Sequence, residues 1–343
     1  MKTKKVFLFL FLIILLIGAW CAWNIFGPVI HNPQKKFLYI KTGSSYQDVK
    51  DSLQKDKIIT GTFWFDKMAK YVDYPQAVKA GKYKVTDGMS LYHLMKMLRS
   101  GKQTPVNLVI TKLRTKEDLA KRISANFEVD SATVIRFLSN EDTLQQFGVD
   151  TNTVMTDVIP NTYTYTWNTP IEKIFKKLYE ESQRFWNPER LQKAERLNLS
   201  PKEVYTLASI VEEETNKQDD KGKIASVYIN RLRKGMKLAA DPTVKFAMKD
   251  FALKRIYHKY LAFVSPYNTY LNSGLPPGPI CTPSIKTIDA VLDAPETDYL
   301  FFVARSDFSG YSDFASNYAQ HQIFAKAYQQ ALDSLIKSKQ QNQ

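Results

Sequence analysis

Three consecutive glutamates, Glu212, Glu213 and Glu214, lie near the end of the stretch LASIVEEET at 207–215. A carboxyl group can give a proton to a leaving oxygen and take one back, so a glutamate bordering a core is a candidate acid–base catalyst. Val204, Leu207, Ala208 and Val211 recur at i, i+3, i+4 and i+7, which predicts one apolar helical stripe. At about 100° per residue, Glu212 and Glu214 flank that stripe on opposite sides, and Glu213 points away from it as a solvent carboxylate. Periodicity therefore leaves Glu212 and Glu214 equivalent. Negative charge at a helix C-terminus is locally unfavourable, and broken local rules concentrate at functional sites. The plain alternative is an acidic helix end running into a polar loop.

The helix start is well marked. Ser200 suits an N-cap, Pro201 the first helical position, and Glu203 completes a Ser-x-x-Glu capping box. Other chemistries lack their residues. Cys21 and Cys281 are far apart, and His31, His93, His258 and His321 are dispersed, with no H-E-x-x-H or C-x-x-C spacing. This argues against a metal site, a thiol nucleophile or a disulfide framework, and no cofactor is implied.

The chain has 343 residues, 44% of them hydrophobic, with a net charge of +14. That length suits two or three domains, and the composition is that of a chain with real cores. The charge favours anionic partners such as a membrane surface or acidic wall polymers. No zinc knuckle or RNP-type strand supports nucleic acid as a partner. Lys2, Lys4 and Lys5 precede an apolar run from Val6 to Trp23, nearly extended by Ile25 and Phe26. Its length suits a membrane-spanning helix, Trp20 and Trp23 suit an interfacial belt, and the lysines mark the cytoplasmic side. Gly18-Ala19-Trp20-Cys21 is a poor signal-peptidase site. An uncleaved anchor over 6–26 is expected, with residues 1–5 cytoplasmic and the rest exported.

After the turn signals Gly27-Pro28 and Asn32-Pro33, residues 37–110 read as an α+β module. Its strands fall at Phe37–Ile40, Gly81–Val85 and Pro105–Thr111, with helices after Ser45, over Phe63–Tyr71 and after Ser90. The strand–helix–helix–strand order is similar to a LysM module, and a generic α+β spacer domain is the equal alternative. Residues 111–200 read as mainly helical, including an amphipathic helix over Pro170–Trp186. Beyond the glutamates, a polar loop at Asn216–Gly222 leads to a helix from about Lys223 to Lys234. Asp241-Pro242 reads as a helix start with Asp241 as cap. Residues 265–283 are too rich in Pro and Gly for regular structure; such a loop can line a groove, or it is a plain rigid connector. Ser284 suggests a helix start, Tyr299–Val303 a strand, Gln320–Lys337 a helix and Lys339–Gln343 a polar tail.

Several motifs in one order carry a resemblance: LASIVEEET, IASVYINRLRKGMKLAADPTV at 224–244, YNTYLNSGLPPGPICTPS at 267–284, IPNTY at 159–163, and GKYKV with GMSLYHLM within 81–95. Together they resemble the endolytic murein transglycosylase (YceG-like) family. The resemblance implies an α+β protein with a LysM-like domain over 37–110 and a catalytic domain over 111–338, its core at 201–338. It implies a peptidoglycan lyase that cuts between N-acetylmuramic acid and N-acetylglucosamine and leaves a 1,6-anhydro end, ending strands as they are polymerised. Nascent glycan strands would be the substrate and peptidoglycan synthases the candidate partners, at the inner membrane.

The family's catalytic glutamate falls on Glu212, which separates it from Glu214. Such an acid needs a pKa raised by partly apolar surroundings. Glu214, Asn230, Asp241, Thr243, Tyr267 and Asn268 match family positions and are expected to orient the sugar or Glu212. Departures occur at Met155-Thr156-Asp157-Val158, where many members read E-G-x-L. At Ser312-Asp313-Phe314 and Gln320-His321-Gln322 only Phe314, Asn317 and His321 fit. Two competing readings are a non-catalytic peptidoglycan-binding or division scaffold, and a lysozyme-like hydrolase using Glu212 with a second acid such as Asp241.

Overall fold

A computed structural model describes residues 2–31, 33, 35–253 and 255–341. Asn32 of the expected turn, Met1 of the N-terminal segment, and Asn342 and Gln343 of the polar tail lie outside the described residues. In chain order the helices are α1 (Lys2–Phe26), α2 (Tyr46–Lys55), α3 (Phe63–Tyr71), α4 (Leu91–Ser100), α5 (Lys116–Ser124), α6 (Ser131–Leu138), α7 (Glu141–Gln145) and α8 (Ile171–Phe185). There follow α9 (Pro188–Leu197), α10 (Pro201–Glu214), α11 (Gln218–Arg233), α12 (Asp241–Met248), α13 (His258–Leu261), α14 (Ile285–Leu292) and α15 (Tyr318–Gln341). The strands are β1 (Phe37–Ile40), β2 (Gly81–Lys84), β3 (Val106–Val109), β4 (Thr162–Tyr165), β5 (Phe301–Ala304) and β6 (Ser312–Ala315), in three two-stranded sheets. The fold is thus mixed helix and sheet behind an apolar N-terminal helix.

The chain forms two compact units. The smaller comprises residues up to Leu108 with Ile123–Asp130 and Thr164–Pro170; the larger holds the remainder. In the smaller unit β1 and β2 pair antiparallel, with Phe37 opposite Lys84. Ser45 and Asp48 form a capping box on α2, Ser90 caps α4, and Gly101 ends α4 at φ 71°, a conformation suited to glycine. Their apolar faces bury Leu38, Val49, Leu53, Phe65, Leu94 and Leu98. The element order is strand, helix, helix, strand, as the sequence predicts.

The larger unit is built around α10. The sequence predicts one buried stripe, but every residue from Val204 to Val211 is buried, including Thr206, Ser209 and Ile210. The reason is a second covering layer. Ile280 N–H donates to Ser209 Oγ (2.9 Å), which itself donates to Thr206 O (2.6 Å). Buried hydroxyls are tolerable because they are bonded. On the opposite flank, Tyr205 donates to Val158 O (2.7 Å), and Tyr163 of IPNTY donates to Ile159 O (2.6 Å). The Pro-rich stretch 265–283 indeed holds no helix or strand.

Several boundaries differ from expectation. α11 begins at Gln218, inside the expected polar loop, and α15 runs through the start of the expected tail to Gln341. β6 and α9 had no separate sequence signal. Asp241 is not a cap: Ala240 holds that position and Asp241 sits in the first turn of α12.

Asp157 is buried beside α8, and burial pushes its carboxyl up to about 6, against the opposing pull of Ser182 and the Lys202 charge. A carboxyl whose folded pKa is raised becomes a burden as pH climbs from its unfolded value through about 6. Asp157→Asn should therefore stabilise the protein by about 2–3 kcal/mol at pH 7 and hardly at all at pH 3.5, measured by denaturant unfolding at both pH values.

Candidate active site

Glu212, Glu213 and Glu214 leave the end of α10 in three directions, and each meets a different environment. The Glu212 carboxylate enters the junction of α10, α11 and α14. Lys221, in the first turns of α11, donates to its Oε2 at 2.9 Å and to Thr287 Oγ1 at 2.6 Å. Ser284 caps α14 by accepting from Thr287 N–H (3.3 Å), and its hydroxyl also donates to Glu212 Oε2 at 3.1 Å. Thr287 Oγ1 makes a short hydrogen bond to the same oxygen. All three donors converge on Oε2; among the described residues no hydrogen bond reaches Oε1. The pair is largely buried, with 7% of the Lys221 side chain exposed and 15% of that of Glu212.

Burial alone would raise the Glu212 pKa. The Thr287 bond, the Lys221 bond and charge, and the Ser284 bond outweigh it and hold the carboxyl below its ordinary value. Glu212 is thus held as a carboxylate, contrary to the raised acid expected from sequence.

Glu213 is not a free solvent carboxylate either. It is bridged by Lys112 at 2.8 Å and Arg114 at 3.3 Å, which keep it ionised. Glu214 has the reverse ionisation. Its Oε1 accepts from Tyr228 at 2.6 Å, and burial, aided by the Asp241 charge, pushes its carboxyl up to about 7 despite Tyr228, Lys245 and Arg231.

None of the supporting residues named from the sequence hydrogen-bonds to Glu212. Asp241 accepts from Tyr270 at 2.6 Å and joins the electrostatic environment of Glu214. Asn230 donates to Thr297 O (2.8 Å) and Tyr299 O (3.0 Å), fixing the approach to β5. Thr243 is buried against Thr269 at 2.9 Å. Tyr267 packs on Phe246, ring centroids 4.7 Å apart. Asn268 is fully buried and donates to Leu261 O (2.9 Å) and Phe263 O (2.8 Å). These last four shape the segments around the site.

The Pro-rich segment is pinned where it nears α10. Cys281 Sγ donates to Ser209 O (3.4 Å), Thr282 N–H to Leu113 O (2.7 Å), and Leu113 N–H to Thr282 Oγ1 (2.9 Å). Gly278 is required where the chain passes Asn152, because a Cβ there would collide with Asn152 O. This stitching delivers Ser284 to Glu212. Sequence reasoning missed Lys221, Ser284 and Thr287 as partners of Glu212. Only Ser284 carried a signal, as a helix start.

The sequence profile of the YceG-like family matches residues 38–327. The chain belongs to the YceG-like family. A Bacillus subtilis protein named endolytic murein transglycosylase is 31% identical over 289 residues, covering 79% of each chain. A Streptococcus pneumoniae protein of the same name is 28% identical over 81% of this chain, which spans 56% of that relative's length. The crystal structure of a YceG-like protein from Listeria monocytogenes superposes with a TM-score of 0.56 at 28% identity, covering 84% of this chain and 98% of that one. The matched residues take in the α10 glutamates and the small unit from Leu38 onward.

Removing one member of a buried ion pair leaves the other charge uncompensated. Lys221→Met should cost about 3 kcal/mol in urea unfolding at pH 7. The double variant Lys221→Met/Glu212→Gln should lose clearly less than the sum of the single losses. Additive losses would show that the pair is not coupled.

Proposed function

We propose that the chain is a lytic transglycosylase that cuts within peptidoglycan glycan strands, with Glu212 as its acid–base group. The reading rests on one observation above others: a motif glutamate held through Oε2 alone, with Oε1 left to exchange a proton. Protonated Glu212 gives its proton to the oxygen joining muramic acid C1 to glucosamine, and that C1–O bond breaks. The resulting carboxylate removes the proton from the same muramic acid's C6 hydroxyl as its oxygen bonds C1. The products are a 1,6-anhydro end and a free glucosamine hydroxyl, and Glu212 returns protonated. No water and no second carboxylate enters, unlike the two-carboxylate hydrolases.

Lys221, Ser284 and Thr287 act here as positioning residues. They fix the carboxyl plane and keep it ionised until glycan displaces water around Oε1; further desolvation then favours the protonated form. Helix α1 serves as a single-pass anchor with a cytoplasmic N-terminus in the inner membrane. The small unit is a LysM-like glycan-binding module, and the larger unit is the catalytic domain. Held beside new glycan at a peptidoglycan synthase, such an enzyme would end strands as they grow.

A second reading has its own observation. Glu214, raised to about 7, has the ionisation a general acid needs at neutral pH. Two variants separate the readings. Glu212→Gln should abolish release of fragments from purified murein, while Glu214→Gln should retain part of it. Mass spectrometry should show anhydro ends, lighter by one water than the reducing ends a hydrolase leaves. Fragments from Glu212→Gln would overturn its role, and absence of fragments from the wild-type chain would favour the scaffold reading.

The pH profile tests Lys221. Activity should fall as pH rises through the Glu212 pKa, because the acid form is lost. Lys221→Gln removes a charge that lowers that pKa, so the alkaline limb should move to higher pH. A uniform loss with an unmoved limb would reduce Lys221 to a packing role.

A further inference from the structure

The small unit carries an apolar groove that neither the α10 glutamates nor the glycan reading uses. It begins beside the end of α1 with a cavity of about 290 Å³ whose lining includes Ile25, Phe26, Lys67, Met68, Val72 and Tyr92. A second cavity of about 540 Å³ shares Met68, Val72 and Tyr92 with the first and continues along α3 and α4. Its far rim carries Lys79, Lys96 and Arg99, and no carboxylate lines either cavity. Lys96 and Arg99 are exposed, and among the described residues neither forms an ion pair. We propose that this groove holds an anionic phospholipid of the bilayer that α1 enters, with its acyl chain on Met68 and Val72 and its phosphate at Lys79, Lys96 and Arg99.

Three observations fix the occupant. The first is depth. Trp64 of α3 meets Trp20 of α1 edge-on, with ring centroids 5.4 Å apart. Trp20 lies six residues inside the end of the apolar helix, about 9 Å along its axis. α3 therefore enters the interfacial zone that α1 crosses. The second is surface chemistry. Phe63 and Tyr71 of α3 are 61% and 91% exposed, and Lys67 and Lys70 are exposed on the same helix. Aromatics interleaved with lysines suit the headgroup–acyl boundary. The third is polarity along the groove. Tyr92 packs on Phe26 at 5.3 Å, whereas Arg99 lies seven residues further along α4, about 10 Å away. The lining beside α1 is thus apolar but for Lys67, and three cations, Lys79, Lys96 and Arg99, gather at the far end, an order that suits acyl chain and phosphate respectively.

The inference rests on α1 being a retained membrane anchor. The test uses the full chain in nanodiscs of phosphatidylcholine with or without phosphatidylglycerol, carrying a photo-cross-linking residue at Met68. A second label at Tyr71 keeps the test readable if the first disturbs packing. Lipid adducts should form at both positions, with phosphatidylglycerol favoured over phosphatidylcholine. Lys96→Gln and Arg99→Gln should each lower that preference about fivefold, as expected for the removal of one cation near an anionic surface. Adducts to protein instead of lipid, no adducts, or a preference unchanged in both variants would overturn the site. Extraction of the full chain from membranes by alkaline carbonate separates the two claims. Release would overturn the anchor and the lipid site together, whereas retention without lipid adducts would overturn the site alone.

Discussion

A buried ammonium–carboxylate contact between Lys221 and Glu212, 2.9 Å long, sits where α10, α11 and α14 meet. Taking two charges out of water costs several kcal/mol per ion, and attraction recovers that cost only where further hydrogen bonds complete the cluster. Ser284 and Thr287 complete it from the first turn of α14. Ser284 reaches the site because the preceding segment is stitched to α10 through Ser209 and to residues 111–113 through Thr282. A pair of charges thereby ties three helices and an irregular loop to a single oxygen atom, and the loop's irregularity is what lets it turn sharply into α14.

The neighbouring carboxyls show how position within one helical turn sets ionisation. Glu212 and Glu213 pair with cations at hydrogen-bond distance and are lowered; at Glu214 the Tyr228 bond and the Lys245 and Arg231 charges do not offset burial and the Asp241 charge, and it rises to about 7. Desolvation is the largest influence at all three, so the partners decide the sign. Opposed ionisation of adjacent carboxyls is the arrangement from which acid–base sites are made. The cations at Glu212 and Glu213 also relieve the unfavourable placement of negative charge at the end of α10.

In the small unit, the apolar helix and the module share packing instead of being joined by a free tether. Trp20 on Trp64, Phe26 on Tyr92 and the Ile30 N–H bond to Met89 O (3.2 Å) fix α1 to α3 and α4. These contacts hold the apolar helix at a fixed orientation to α3, whose Phe63 and Tyr71 stay exposed on the same unit.

Local rules were legible wherever the decisive contacts lie close in sequence. The capping boxes at Ser45 and Ser200, the cap at Ser90, the apolar length of α1, the absence of regular structure across 265–283 and the border positions of Glu212 and Glu214 all follow from nearest neighbours and helical periodicity. The motifs LASIVEEET and YNTYLNSGLPPGPICTPS also carry the family. The tertiary structure alone decided that Thr206, Ser209 and Ile210 are buried, because the covering segment lies some seventy residues away. It alone placed Lys221 inside a helix and in a buried pair, since a lysine followed by glycine in a polar stretch reads as loop. It also set the ionisation of Glu212 and Glu214, a property of partners on α11, α12 and α14. The sequence determined which carboxylates could do chemistry; the packing of distant helices decided which charge each of them carries, because a buried group's proton affinity depends on what surrounds it in space.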